Sequence, residues 1–203
     1  MSIDWMLKML WKIKNGVVNK IIAGNNISIS PVDGMGDVTI NADNGGANFV
    51  SYYGSFYDST NQNAIAINTA YPMLIGGTDI SNQVSITSGS RITFAVAGIY
   101  NIQWSGQFEN TDTQEHDVSV WLRKNGTNVI GSAGFVAVVS SHGGIHGHTL
   151  PSWNYLVQVN AGDYVQLVWS TTSTQVSIAY YPELPPAPAV SSLIVTATFV
   201  SSI

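Results

Sequence analysis

From Tyr100 to Phe108 every second side chain is apolar or small: Tyr100, Ile102, Trp104, Gly106 and Phe108. The residues between them, Asn101, Gln103, Ser105 and Gln107, are polar and uncharged. A period of two is the pattern of a strand with one buried and one wet face. It predicts a central sandwich strand, entered through a break at Gly98. Shorter runs predict further strands near residues 49–57, 64–68, 72–75, 83–87, 91–97, 117–124, 128–139, 153–160, 163–171, 175–181 and 192–201. Gly, Asn and Ser punctuate these runs, and no stretch after residue 20 has helical periodicity. The predicted fold class is all-β, a jelly-roll sandwich. Pro182-Glu-Leu-Pro-Pro-Ala-Pro188 cannot join a central strand and reads as a stiff loop before the last one.

The first residues break this texture. Residues 2–14 predict a short amphipathic helix, capped by Ser2 or Asp4 and stopped by Asn15-Gly16. Asp4, Lys8 and Lys12 fall four apart and leave one narrow polar stripe on an apolar cylinder. Lysines interrupt the apolar run and no small-residue cleavage site follows, which argues against a signal peptide. A membrane span would need about 20 apolar residues. An interfacial membrane helix and a helix folded onto its own domain are alternatives. The favoured reading is docking on another protein through Trp5, Met6, Met9, Leu10, Trp11 and Ile13. In residues 21–41, Ile27/Ile29 and Val38/Ile40 alternate with polar residues around Asp33-Gly34-Met35-Gly36, predicting a β-hairpin. A lone hairpin is marginally stable, so pairing with copies from other chains is expected. The predicted organisation is an anchoring helix (1–20), a hairpin and linker arm (21–46) and a jelly-roll head (47–203).

Composition sharpens this picture. Charged residues make up 9% of the 203, against about 25% in an average soluble protein. Ser, Thr, Asn and Gln build the polar faces instead, as suits virion or extracellular proteins and surfaces covered by sister subunits. Lys8, Lys12, Lys14 and Lys20 against Asp4 put +3 on the first twenty residues, so the net −5 leaves −8 on the rest. That balance argues against nucleic-acid binding by the body. There is no cysteine, hence no disulfide or thiolate metal site.

Three segments, in order, resemble the trimeric jelly-roll head of tumour-necrosis-factor and complement-type globular domains. Gly98-Ile-Tyr-Asn-Ile-Gln-Trp104 is similar to that family's gly-x-tyr-x-phe strand. Val118-Ser-Val-Trp-Leu-Arg-Lys-Asn-Gly-Thr127 is similar to its leu-x-lys-asn-gly strand and turn. Leu156-Val-Gln-Val-Asn-Ala-Gly-Asp-Tyr-Val-Gln-Leu167 is similar to its leu-x-x-gly-asp-x-val-x-leu hairpin. Ser192–Val200 matches the last core strand loosely. The stretch from Ala23-Gly24 through Ile27-Ser-Ile29 to Gly36-Asp-Val-Thr-Ile40 resembles segments of bacteriophage fibres and other virion appendages. The resemblance implies a homotrimer with aromatic residues packed between subunits, for which Tyr52, Tyr53, Trp121, Tyr180 and Tyr181 are the candidates.

Catalytic signatures are missing. There is no Gly-x-Ser-x-Gly elbow, phosphate-cradling loop or His-Glu-x-x-His helix. Glu109/Asp112 and Glu115/Asp117 read as a solvated face. The one concentrated constellation is His142-Gly-Gly-Ile-His146-Gly-His148, where His146 and His148 could point the same way on an extended chain. Similar His-x-His pairs in phage fibres gather six nitrogens in a trimer, an octahedral arrangement for a divalent transition metal. In a Gly-rich loop of the head, a partner-contacting tip is the preferred reading and no metal or other cofactor is expected.

These readings combine into a non-enzymatic bacteriophage structural protein, made in the host cytoplasm and carried on the virion. The favoured role is a capsid decoration (cement) protein, a homotrimer that binds the major capsid protein or another virion protein and stabilises the shell. The alternative is a tail or head fibre whose loops, with Trp153 and Tyr181, bind a host receptor or glycan. No nucleic-acid or membrane partner is expected.

Overall fold

A computed structural model describes residues 3–4, 6–8, 21–24, 27–30, 38–42 and 51–203. The chain divides into two compact units, residues 1–50 and 51–203. In the first, Ile3, Asp4, Met6, Leu7 and Lys8 are helical, and Lys8 Nζ lies 2.9 Å from Asp4 Oδ2, one turn away. Strands β1 (Ile27–Ser30) and β2 (Thr39–Ala42) pair antiparallel, with Ile29 opposite Ile40. The predicted turn at 33–36 and the predicted contact residues Trp5, Met9, Leu10, Trp11 and Ile13 lie outside the described residues.

The second unit is the head. Its chain runs β3 (Tyr53–Asp58), β4 (Gln62–Asn63), β5 (Tyr71–Pro72), β6 (Gly77–Asn82), β7 (Val84–Thr87) and β8 (Arg91–Phe94). The long β9 (Gly98–Gly106) follows, then β10 (Phe108–Asn110), β11 (His116–Lys124), β12 (Thr127–Asn128) and β13 (Gly134–Val138). The last strands are β14 (Gly147–Thr149), β15 (Ser152–Val159), β16 (Tyr164–Thr171), β17 (Val176–Ile178) and β18 (Leu193–Ser201).

Two antiparallel sheets carry the sandwich. One has the order β15-β9-β18-β3-β6 and the other β12-β11-β16-β8-β7, with β13 also pairing β11 and β5 also pairing β16. A small sheet, β14-β10-β17-β4, continues where β9 ends. β3, β6, β9, β15 and β18 lie in one main sheet and β7, β8, β11, β13 and β16 in the other; β3/β6, β7/β8 and β11/β13 pair within a sheet, and the chain crosses between the sheets at each remaining step. First and last head strands, β3 and β18, are neighbours. That is jelly-roll connectivity.

The alternation in β9 becomes the sandwich wall. Tyr100 and Ile102 are fully buried and Trp104 nearly so, while Gln103 is exposed. Tyr100 stacks on Phe94 (ring centroids 4.5 Å) and meets Phe199 edge-on at 5.5 Å; Phe108 meets Trp169 at 5.8 Å. Such pairs add about 0.5–1.5 kcal/mol each beyond the area they bury. At the sandwich edge, Trp153 packs on its cross-strand neighbour Trp104 and covers Gly134, where a side chain would run into the indole. Asn125 and Gly126 take positive φ (49° and 83°) in the turn after β11, as Asn-Gly permits.

Three local expectations change. Residues 64–68, whose Ala-Ile-Ala-Ile reads as alternation, form turns: the Tyr71 hydroxyl accepts from Ala66 N at 2.8 Å, and Ile65 and Ile67 are exposed. The expected strand over 128–139 is interrupted, because Ser132 Oγ folds back to accept from Leu122 N at 3.0 Å and donate to Val129 O at 2.7 Å. Polar Gly77–Asn82, without any apolar period, is nevertheless a strand, since it needs only β3 on one side.

Candidate functional site

The outer face of the β15-β9-β18-β3-β6 sheet is set by strand phase. Its inward residues fill the core, so register brings the alternate ones into rows across the outside. One row is Asn154, Gln103, Thr196, Ser55 and Ile80; the next is Ser152, Ser105, Ile194 and Tyr57. Tyr53 and Leu156 extend the same face. Asp58 and Asp79 are the only acidic or basic residues on these five strands, and Asp58 is buried. Exposed apolar area is substantial: Leu156 is 67% exposed, Ile80 56% and Ile194 48%. The Tyr57 ring lies over Gly77 of the edge strand, at a spot where a side chain would collide with it. A shallow hollow of about 400 Å³ opens among Gln103, Ser105, Ser152, Asn154, Ile194 and Thr196. The other main sheet differs, because its strands carry Arg91, Asp117, Arg123 and Lys124.

The five aromatics expected between subunits do not share one surface. Tyr53 is on the uncharged face. Tyr52, in the opposite phase, packs edge-on against Phe199 at 5.1 Å. Trp121 points out of the second sheet and donates from Nε1 to Asn128 Oδ1 at 2.9 Å. Tyr180 and Tyr181 follow β17, and Asn61 Oδ1 accepts from Tyr180 N at 2.7 Å. The sequence reading passed over Tyr57, Ile80, Leu156 and Ile194. Their signal was an apolar residue on the polar phase of a strand otherwise free of charge.

A second constellation forms where β10 meets β14. Glu109 stands directly opposite His148 in that pairing. Tyr181, 72 residues along the chain from Glu109, donates its hydroxyl to Glu109 Oε2. His146 Nδ1 lies 3.1 Å from the same oxygen, and His148 Nδ1 lies 3.3 Å from the Tyr181 hydroxyl. Glu109 is therefore an interior member of a polar network and not the solvated carboxylate expected from sequence. Burial pushes its carboxyl up, but hydrogen bonds from Tyr181 and His146 and the charges of both histidines outweigh this and hold it below its usual value. Burial first, then the bond to Glu109, raises the Tyr181 phenol. His142 sits apart, its backbone exchanging two hydrogen bonds with Ile145. Among the described residues no group of three His, Asp or Glu side chains is arranged to hold a metal ion. Met6, on the helical segment, is 51% exposed.

No protein-family model matches the chain, and no curated protein matches it.

Proposed function

We propose that this protein is a bacteriophage-type virion structural protein whose jelly-roll head assembles as a homotrimer through the uncharged sheet face. The observation that carries the reading is that face: five strands with Asp79 as the one exposed charge, and with Leu156, Ile80, Ile194 and Tyr57 in the open. A monomer that keeps such a surface wet pays in solubility, whereas a second and third copy would cover it without desolvating ions. The N-terminal segment then attaches the trimer to the particle. Three copies of one weak anchor act together, since the first contact raises the effective concentration of the others. Bridging neighbouring shell subunits in this way stabilises the shell by mass action, the role of a capsid decoration protein.

The test is co-sedimentation of the full-length protein with capsids lacking it, alongside whole host cells. Saturable binding to capsids at a fixed ratio to the shell protein is expected, and lost on deletion of residues 1–14. Binding to cells and not to capsids would replace decoration by receptor binding, and persistent capsid binding of the truncation would remove the anchor from the N-terminus.

A further inference from the structure

The outer face of the second main sheet, on the opposite side of the sandwich from the uncharged face, is charged. Arg91, Arg123 and Lys124 are the only lysines or arginines after residue 20. Lys124 is paired with Asp163 at 3.0 Å, and the Arg91 guanidinium lies over the Tyr164 ring, 4.4 Å from its centroid. Among the described residues, Arg123 has no carboxylate within ion-pair distance and Asp117 has no cation. Asp117, Ser119, Trp121 and Arg123 are alternate residues of β11. Val118, Val120 and Leu122 between them are buried in the core, so the four stand in one outward file.

The file is firmly held. Asn128 Oδ1 accepts from Trp121 Nε1 at 2.9 Å and from Arg123 Nε at 3.2 Å, which fixes both side chains. Phe135 of β13 stands opposite Ser119 and is 80% exposed, although Val136 and Val138 of the same strand are buried. A phenyl ring on the wet face of a strand, beside an indole, an unpaired guanidinium and an unpaired carboxylate, has the composition of an interface.

We infer that this face pairs with the same face of a second copy of the chain, the two β11 strands stacked antiparallel. Asp117 and Arg123 lie equally far to either side of Val120, about 10 Å along the strand in each direction. A two-fold axis across the strand at Val120 therefore sets Asp117 against the partner's Arg123 and Arg123 against the partner's Asp117. It also sets Ser119 against the partner's Trp121, with Phe135 alongside. Packed sheets stand about 10 Å apart, which leaves room for both rings. Parallel stacking would instead lay Arg123 on the partner's Arg123, so the charges select one orientation.

Sedimentation equilibrium of the full-length protein is followed from micromolar to near-millimolar concentration, in low salt and in about 0.5 M salt. The average mass should at least double over that range, less readily in high salt. Asp117→Arg and Arg123→Asp should each weaken the pairing more than about tenfold, since each sets like charges against one another twice. Mixed in equal amounts, the two variants should pair with each other, because opposite charges then meet at both positions. Phe135→Ser, at an exposed position, should weaken pairing about threefold to tenfold. A mass that does not rise overturns the inference. So does a single reversal or a Phe135→Ser variant that pairs as tightly as wild type, or a mixture that stays unpaired. Doubling is counted from the species present at micromolar concentration, three chains or one, so a monomeric head would refute the trimer reading and leave this one standing.

Discussion

A lysine at Ile194 tests the uncharged face most directly. Ile194 is on β18 in the middle of the sheet, flanked by Ser105 on β9 and Tyr57 on β3, and 48% exposed. Full burial of an isoleucine is worth about 1.5–3 kcal/mol, so covering its exposed half contributes about 1 kcal/mol per subunit. A lysine forfeits that, and burying its ammonium, even beside Asp79 in the hollow the two positions share, adds about 2 kcal/mol after relaxation. About 3 kcal/mol per contact weakens each more than about a hundredfold. The isolated head should barely notice, since the side chain points outward and the core is untouched. Sedimentation velocity at micromolar concentration should find wild type at three times the 21.7 kDa chain mass and Ile194→Lys at the chain mass. Ser85→Lys, exposed on the second sheet, should remain trimeric. A trimeric Ile194→Lys, or a monomeric wild type, would refute the assignment of this face.

Three further outcomes follow from the head itself. The Asp163 carboxyl is lowered from 3.8 to about 2 by hydrogen bonds from Asn160 N, the Asn125 side chain and Lys124. Its contribution is therefore complete above the ordinary aspartate value and lost as pH falls through about 2, so the urea-midpoint gap between wild type and Asp163→Asn should narrow from pH 4 to pH 2. Buried Asp58 accepts from Thr60 N at 2.8 Å and Ser192 Oγ at 3.2 Å, joining the end of β3 to the start of β18; Asp58→Ala should cost about 2 kcal/mol, read as a lower Tm. At Gly147 a Cβ would run into the backbone carbonyl of Val139, so Gly147→Ala should destabilise by about 1–3 kcal/mol, measured by urea titration, whereas Gly131→Ser need meet no such contact, since nothing among the described residues lies within 4 Å of a Cβ there, and its cost is confined to the positive φ of 79°.

Much of the fold was legible because strand phase is a local property. The alternation around Tyr100, Ile102 and Trp104 needs no partner to declare which side is buried, and the Asn125-Gly126 turn declares itself by the backbone it permits. Both features are in the structure where the pattern put them. Local pattern failed where a distant group intervened, as at residues 64–68, whose alternation yields to the hydroxyl of Tyr71. It failed again at Gly77–Asn82, a strand held by pairing with β3 and not by its own composition.

The sequence by itself determined the all-β class, the strand faces and the scarcity of charge. Only the tertiary structure decided which uncharged strands lie side by side, and so that Ile80, Ile194 and Leu156 share one surface while Trp121 faces away from it. It alone brought Tyr181 to Glu109 and His148. The reason is physical: the side-chain period of a strand follows from its own backbone, but its neighbours follow from the order in which distant strands close onto one core.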